Sequence, residues 1–195
     1  MLVCPTRRSA FQHGYAHISV SDIVAHAHIS RNVFYSHFSD KGGAAAEAIR
    51  TNFEAAMQAA AHAFFAEDPW PERLWRGGYA LTSHFFSNPQ LAYLTLVELH
   101  AIRPEVTRIA HERLMAFTLL FEEGYRQHPG AHFLPRLASE VLAAAVFELE
   151  YLEVPRKLQT PTRDYRGERA YICLAPFMGP EAAGEFVAGK AAAGR

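Results

Sequence analysis

The stretch from Val20 to Lys41, Val-Ser-Asp-Ile-Val-Ala-His-Ala-His-Ile-Ser-Arg-Asn-Val-Phe-Tyr-Ser-His-Phe-Ser-Asp-Lys, most constrains what this chain can become. Ser19 and Ser21 can each cap a first short helix, and Val20, Ile23, Val24 and Ala27 then share one face. Residues Ala27 to Ser30 read as a turn. Ser30 can accept a hydrogen bond from a backbone N–H two or three residues on, which starts a second helix. In that helix Phe34 and Phe38 lie four apart on an apolar side, while Arg31, Asn32, Tyr35 and Ser36 project elsewhere. Two short helices around a tight turn can carry one of them into the major groove of DNA.

The remainder reads as helix throughout. Asp40 can cap a third segment, whose Gly42 and Gly43 each cost about 1 kcal/mol relative to Ala. Ile49, Phe53, Met57, Ala60 and Phe64 then form one stripe of a long connecting helix. Asp68-Pro69-Trp70-Pro71 breaks it. Further helices are expected over residues 72–87, 89–102 and 104–127, punctuated by Ser87-Asn88-Pro89, Arg103-Pro104 and His128-Pro129-Gly130. Residues 134–152 carry an apolar ridge of Leu134, Leu137, Val141, Leu142, Ala145, Leu149 and Leu152. After Pro155 the chain is polar until about Tyr165, then helical to Phe177, and Gly179-Pro180 precedes a last helix. Before the opening motif, Pro5 and Thr6 can start a short helix through Arg7, Arg8, Ala10 and Phe11 that stops at Gly14. No strand-like alternation and no repeat is present. The expected fold is all-α: an N-terminal helix-turn-helix head over residues 1–48, followed by a larger helical ligand-binding and dimerisation domain over 49–195.

Bulk properties are consistent with that division. The 195 residues are 50% hydrophobic, enough for one sizeable core, and the formal net charge of −1 carries no hint of a nucleic-acid partner. The distribution says more, since Arg7, Arg8, Arg31, Lys41 and Arg50 face only Asp22, Asp40 and Glu47 in the first quarter. Cys4 and Cys173 are far apart without metal-type spacing, and the N-terminus lacks the sections of a signal peptide. A cytoplasmic protein is expected, with no membrane span. Eleven histidines invite a metal or catalytic reading. However, His26 and His28 would splay apart at a helix end, His13 and His17 straddle Gly14, and His111-Glu112 lacks the second His of a zinc-hydrolase motif. No Gly-rich phosphate loop or nucleophile elbow is present. Neither an enzyme nor a metal or other cofactor is expected.

A groove-reading helix needs a buried side, supplied by Phe34 and Phe38, and exposed donors, supplied by Arg31, Asn32 and Ser36. Arg31 can reach guanine acceptors, Asn32 an adenine edge or a phosphate, and Val33 a thymine methyl. The residues Gly14-Tyr15, Ser19-Val20, Asp22-Ile23-Val24, Ala27, Ile29-Ser30, Phe34-Tyr35, His37-Phe38 and Asp40-Lys41 together resemble the DNA-binding head of the TetR (tetracycline repressor) family of bacterial transcription regulators. The resemblance implies that Tyr35, His37 and Lys41 hold phosphates, with Ser19 and Ser21 clamping the flanking backbone from the preceding helix. His28 replaces the usual turn glycine, so it must accept a left-handed backbone.

For the body, the resemblance implies an effector pocket between amphipathic helices. The candidates are Tyr79, Phe86, Tyr93, His100, Phe117, Phe121, Phe147 and Tyr151, fitting a small apolar or aromatic molecule. Ala143, Ala144 and Ala145 permit close helix approach, and the resemblance implies a homodimer paired through residues 134–152 and 165–177. The expected function is a repressor that binds a palindromic double-stranded DNA operator as a dimer and releases it when the effector enters. The competing expectations are a helical small-molecule or metal-binding protein without DNA recognition, and a small helical enzyme using buried histidines.

Overall fold

The computed structural model describes residues 14–65, 68–99, 102, 104–159 and 165–193. The short helix expected between Pro5 and Phe11, and Cys4, lie outside them. A helical turn over residues 14–17 is followed by α1 (Val20–Ala27), α2 (Arg31–His37) and the 24-residue α3 (Lys41–Phe64). The body adds α4 (Trp70–Ser87), α5 (Pro89–Leu96), α6 (Pro104–Thr118), α7 (Glu122–Gln127), α8 (Leu137–Gln159), α9 (Arg166–Met178) and α10 (Pro180–Ala193). Short 3-10 turns cover Leu119–Phe121 and Pro129–Phe133. No strand occurs among the described residues.

Local chemistry starts each helix of the head. Ser19 forms a capping box with Asp22, Ser30 accepts from Val33 N, and Asp40 accepts from Gly43 N. Each such cap satisfies backbone donors that would otherwise have no partner, worth about 1 kcal/mol. α1 ends in a Schellman arrangement: His28 N–H donates to Ala25 O and Ile29 N–H to Val24 O. His28 has φ 54° and ψ 39°, so it does occupy the left-handed position.

α3 runs without a break across the boundary expected at residues 48 and 49, tying head to body. Its buried stripe of Ile49, Phe53, Ala56, Ala60 and Phe64 enters the main core. Trp70 is the hub of that core: fully buried, it donates Nε1–H to Leu120 O at 2.9 Å and meets the Phe177 ring at 5.1 Å. A Cβ at position 124 would lie 2.6 Å from the Trp70 ring, so only glycine allows this approach. Burying such a side chain contributes about 1.5–3 kcal/mol.

Three helix expectations are corrected. The helix expected over 89–102 ends at Leu96, because the chain turns to bury Leu99. The helix expected over 104–127 is divided at Leu119–Phe121, where consecutive Leu120 and Phe121 are both buried and Leu120 O is taken by the Trp70 indole. The ridge expected on 134–152 mixes two faces of α8. Leu142, Ala143, Val146, Glu150, Glu153 and Val154 point inward, whereas Leu137 and Val141 are 59% and 58% exposed. α8 also continues past Pro155 to Gln159.

Candidate nucleic-acid interface

The head presents α2 as an exposed helix fixed by one ring. Phe34 is fully buried, with Tyr35 edge-on at 5.3 Å and Phe38 at 5.4 Å between centroids. Around that anchor Arg31, Asn32, Val33, Tyr35, Ser36 and His37 are all exposed, Val33 at 44% and Tyr35 at 53%. Six of the nine residues expected to meet DNA therefore share one open surface. Its chemistry suits a groove: a guanidinium, an amide, hydroxyls, an imidazole and a branched aliphatic group for a methyl.

The other three are engaged within the head. Ser19 Oγ donates to Asp22 Oδ2 at 2.6 Å and accepts from Asp22 N at 3.2 Å, so its proton serves the cap rather than a phosphate. The same hydroxyl and the Ser19 N–H hold the Asp22 carboxyl below the usual carboxylate range. Ser21 Oγ accepts from Arg31 Nη2 at 2.5 Å, which orients the guanidinium across the turn between α1 and α2. Lys41 Nζ donates to Tyr15 O at 3.0 Å and Ala16 O at 3.3 Å, closing the C-terminal end of the turn over residues 14–17. Ser36 Oγ donates to Val33 O within α2.

Residues 6–48 match the family described as bacterial regulatory proteins, tetR family. Over these residues the chain is similar to the TetR-type DNA-binding head. The match and the exposed α2 fall on the same residues. The fold of the whole is shared as well. A bacterial regulatory protein of the tetR family from Rhodococcus RHA1 is 20% identical with a TM-score of 0.68, over 87% of this chain and 90% of that one. The TetR family transcriptional regulator PfmR from Thermus thermophilus is 19% identical with a TM-score of 0.64, over 86% and 92%. No curated protein is matched by the chain.

The body carries a small cavity of about 40 Å³ between α4, α6, α8 and α9, lined among others by Trp75, Tyr79, Thr82, Phe117, Val146, Arg166, Arg169 and Cys173. Of the expected pocket residues it collects only Tyr79 and Phe117. Phe121 is stacked on Phe177 in the core, and Phe147 packs between Phe53 and Phe117. Phe86 and Tyr93 are partly buried against the core, Tyr151 is exposed, and His100 lies outside the described residues. The expected pocket residues are thus divided between cavity, core and surface, by faces that helical spacing alone does not distinguish.

Behind the cavity sits a buried polar cluster that sequence reading missed. Thr82 Oγ1 donates to Glu150 Oε1 at 2.7 Å, and Arg169 Nη2 donates to Glu153 Oε2 at 2.5 Å. Arg169 Nε lies 3.4 Å from Glu150 Oε1. Cys173 is fully enclosed, and burial pushes its thiol up to about 12 against the opposing pull of Arg169, so it stays protonated. Two acids three apart on an apolar helix were the available signal. Among the described residues no three His, Cys, Asp or Glu side chains converge on a metal-sized site, and no helix is long and apolar enough to cross a membrane.

Proposed function

We propose that this protein is a TetR-type regulator, a homodimeric repressor that binds a palindromic operator through α2 and releases it when a small apolar or aromatic molecule enters the body. The observation that carries the DNA reading is α2 itself, one face anchored by Phe34 and the opposite face an exposed row of donors. Arg31, oriented by Ser21, reads a guanine; Asn32 and Val33 read neighbouring bases; Tyr35, Ser36 and His37 meet the backbone. Lys41 acts indirectly, by fixing the turn over residues 14–17.

The dimer reading is supported by the outward face of α8 and α9. Leu137, Val141, Leu152, Tyr171 and Ile172 are exposed there, Ala144 lies among them, and such a surface favours a second copy. Two-fold symmetry then sets the two α2 helices for successive major grooves about 34 Å apart. The effector reading is supported by the cavity, whose volume of about 40 Å³ is well below the roughly 300–1,000 Å³ of ligand pockets. An effector therefore has to open it. Trp75 and Arg166 also line a broad open groove between α9 and α10, which makes them the natural entrance.

A mobility shift with DNA from upstream of the protein's own coding region tests the reading. The wild type should bind at low salt, and Arg31→Ala should lose roughly tenfold or more in affinity while keeping its melting temperature. Absence of any shift with the full-length protein would sink the regulator reading. Thermal shift against a library of small aromatic compounds tests the effector, because a cognate ligand raises the melting temperature by mass action.

A further inference from the structure

One hydrogen bond joins head and body across 83 positions of sequence: Tyr15 N–H donates to Glu98 Oε1 at 2.8 Å. Glu98 stands just past α5, where its own N–H and that of Val97 both donate to Tyr93 O. The flanking Leu96 and Leu99 are core residues, so the carboxylate rides on a firmly seated part of the body. Gly14 makes the approach possible. Its φ is +66°, and a Cβ there would stand 2.5 Å from Glu98 Oε1.

The carbonyl of Tyr15 is held from a different direction. Tyr15 O accepts from Lys41 Nζ, and the ammonium also lies 4.3 Å from the Tyr15 ring centroid. Lys41 is the first residue of α3, immediately after α2 and its Asp40 cap. Tyr15 is therefore gripped through its N–H by a carboxylate of the body and through its carbonyl by the root of the helix that follows α2.

We propose that Glu98 is a positioning residue for DNA binding: through Tyr15 and Lys41 it fixes the angle at which the body presents α2. The inference rests on the reading of α2 as a DNA-binding helix. A displacement of the end of α5 passes directly to the head, and loss of the carboxylate frees the head to sample other angles, which weakens binding by lowering the population of the competent one. Electrostatics alone gives the opposite sign, because removing a negative charge from a protein that binds phosphates strengthens its association.

The test compares full-length wild type, Glu98→Ala and Glu98→Gln. The probe is a duplex selected by the wild type from a random-sequence pool, and hydrogen exchange is followed on the same proteins without DNA. Glu98→Ala should lose roughly tenfold in affinity, the scale of a hydrogen bond to a charged group, with its salt dependence unchanged. Amides of residues 14–27 should exchange faster while those of α8 and α9 do not. Glu98→Gln, whose amide oxygen still accepts from Tyr15 N–H, should stay close to wild type in both measurements. Unchanged or tighter binding by Glu98→Ala overturns the proposal, as does an equal loss in both variants or faster exchange throughout the body. If the wild type selects no duplex, the DNA reading fails by itself. Exchange then decides the clamp: faster in the head of Glu98→Ala alone supports it, and no difference overturns it.

Discussion

Head and body are both helical, but they are held together by different means. In the head, α1 and α2 have 8 and 7 residues, too short to persist alone, and they bury fully only Phe34 with Val24 at the margin. Their stability comes from ends: the Ser19, Ser30 and Asp40 caps, the Schellman turn at His28, and Lys41 on the carbonyls of Tyr15 and Ala16. The body instead has an extended core from Ile49 to Ala183, centred on Trp70, Phe85, Phe121 and Leu174. A surface that must present donors to DNA cannot also be buried. The head therefore trades core for caps, and its fold depends on a few identifiable atoms.

The largest effect that can break this contrast comes from its single anchor. Phe34→Ala should cost about 3–5 kcal/mol and unfold α1 and α2 selectively, leaving the helices of the body. Circular dichroism with limited proteolysis checks this, and simultaneous loss of both regions would show that head and body fold as one unit. In the body, the comparable weak point is polar. Arg169→Met removes the partner of two buried carboxylates and should cost about 3–5 kcal/mol in a denaturant titration, while the DNA-facing surface is untouched. Were it neutral, Glu150 and Glu153 would have to be neutralised by other means.

The smaller predictions sharpen the comparison. His28→Gly should stabilise the head by about 1 kcal/mol, because glycine takes the left-handed position without the penalty a Cβ brings; a chemical melt monitored by a probe in the head reads the gain. In the body, burial of the His84 ring lowers its pKa below the ordinary imidazole value, partly offset by its hydrogen bond with Asn52. The unfolded chain then takes the proton more readily. The stability His84 confers is present above the unfolded pKa of about 6.5 and is lost as pH falls below it toward the folded value. Melting temperatures measured from about pH 8 to about pH 5 should fall more steeply for the wild type than for His84→Gln. The slope should be modest because the ring is only partly buried.

The same contrast explains what could be read from the sequence. The head was legible because its signals are local: a hydroxyl before each helix, a Phe four residues from another, a non-glycine where a left-handed residue is needed. The helical body was legible as a class from its periodicity. Its faces were not, because α8 is apolar almost all round, so Leu137 and Leu142 look alike although one is exposed and the other core. The division of the expected pocket residues has the same cause, for nothing local separates Phe121, stacked on Phe177, from Phe117 beside the cavity. Ser19 and Lys41 were recognised as important, but their geometry turned them inward, to Asp22 and to Tyr15. The Glu98 contact had no local signature, because its partner lies 83 residues away.

The unbroken run of α3 from Lys41 to Phe64 makes the molecule a lever. At 1.5 Å per residue its 24 residues span about 36 Å, with the stretch from Ile49 to Phe64 seated in the core and the head mounted on the turns before it. A tilt of the whole helix by about 5° about its Phe64 end swings the Lys41 end by about 3 Å, close to the 3.4 Å rise of one base pair, and shifts the Ile49 end of the core stripe with it. A repacking of the body that re-seats α3 is therefore carried through an unbroken helix to the head that bears α2.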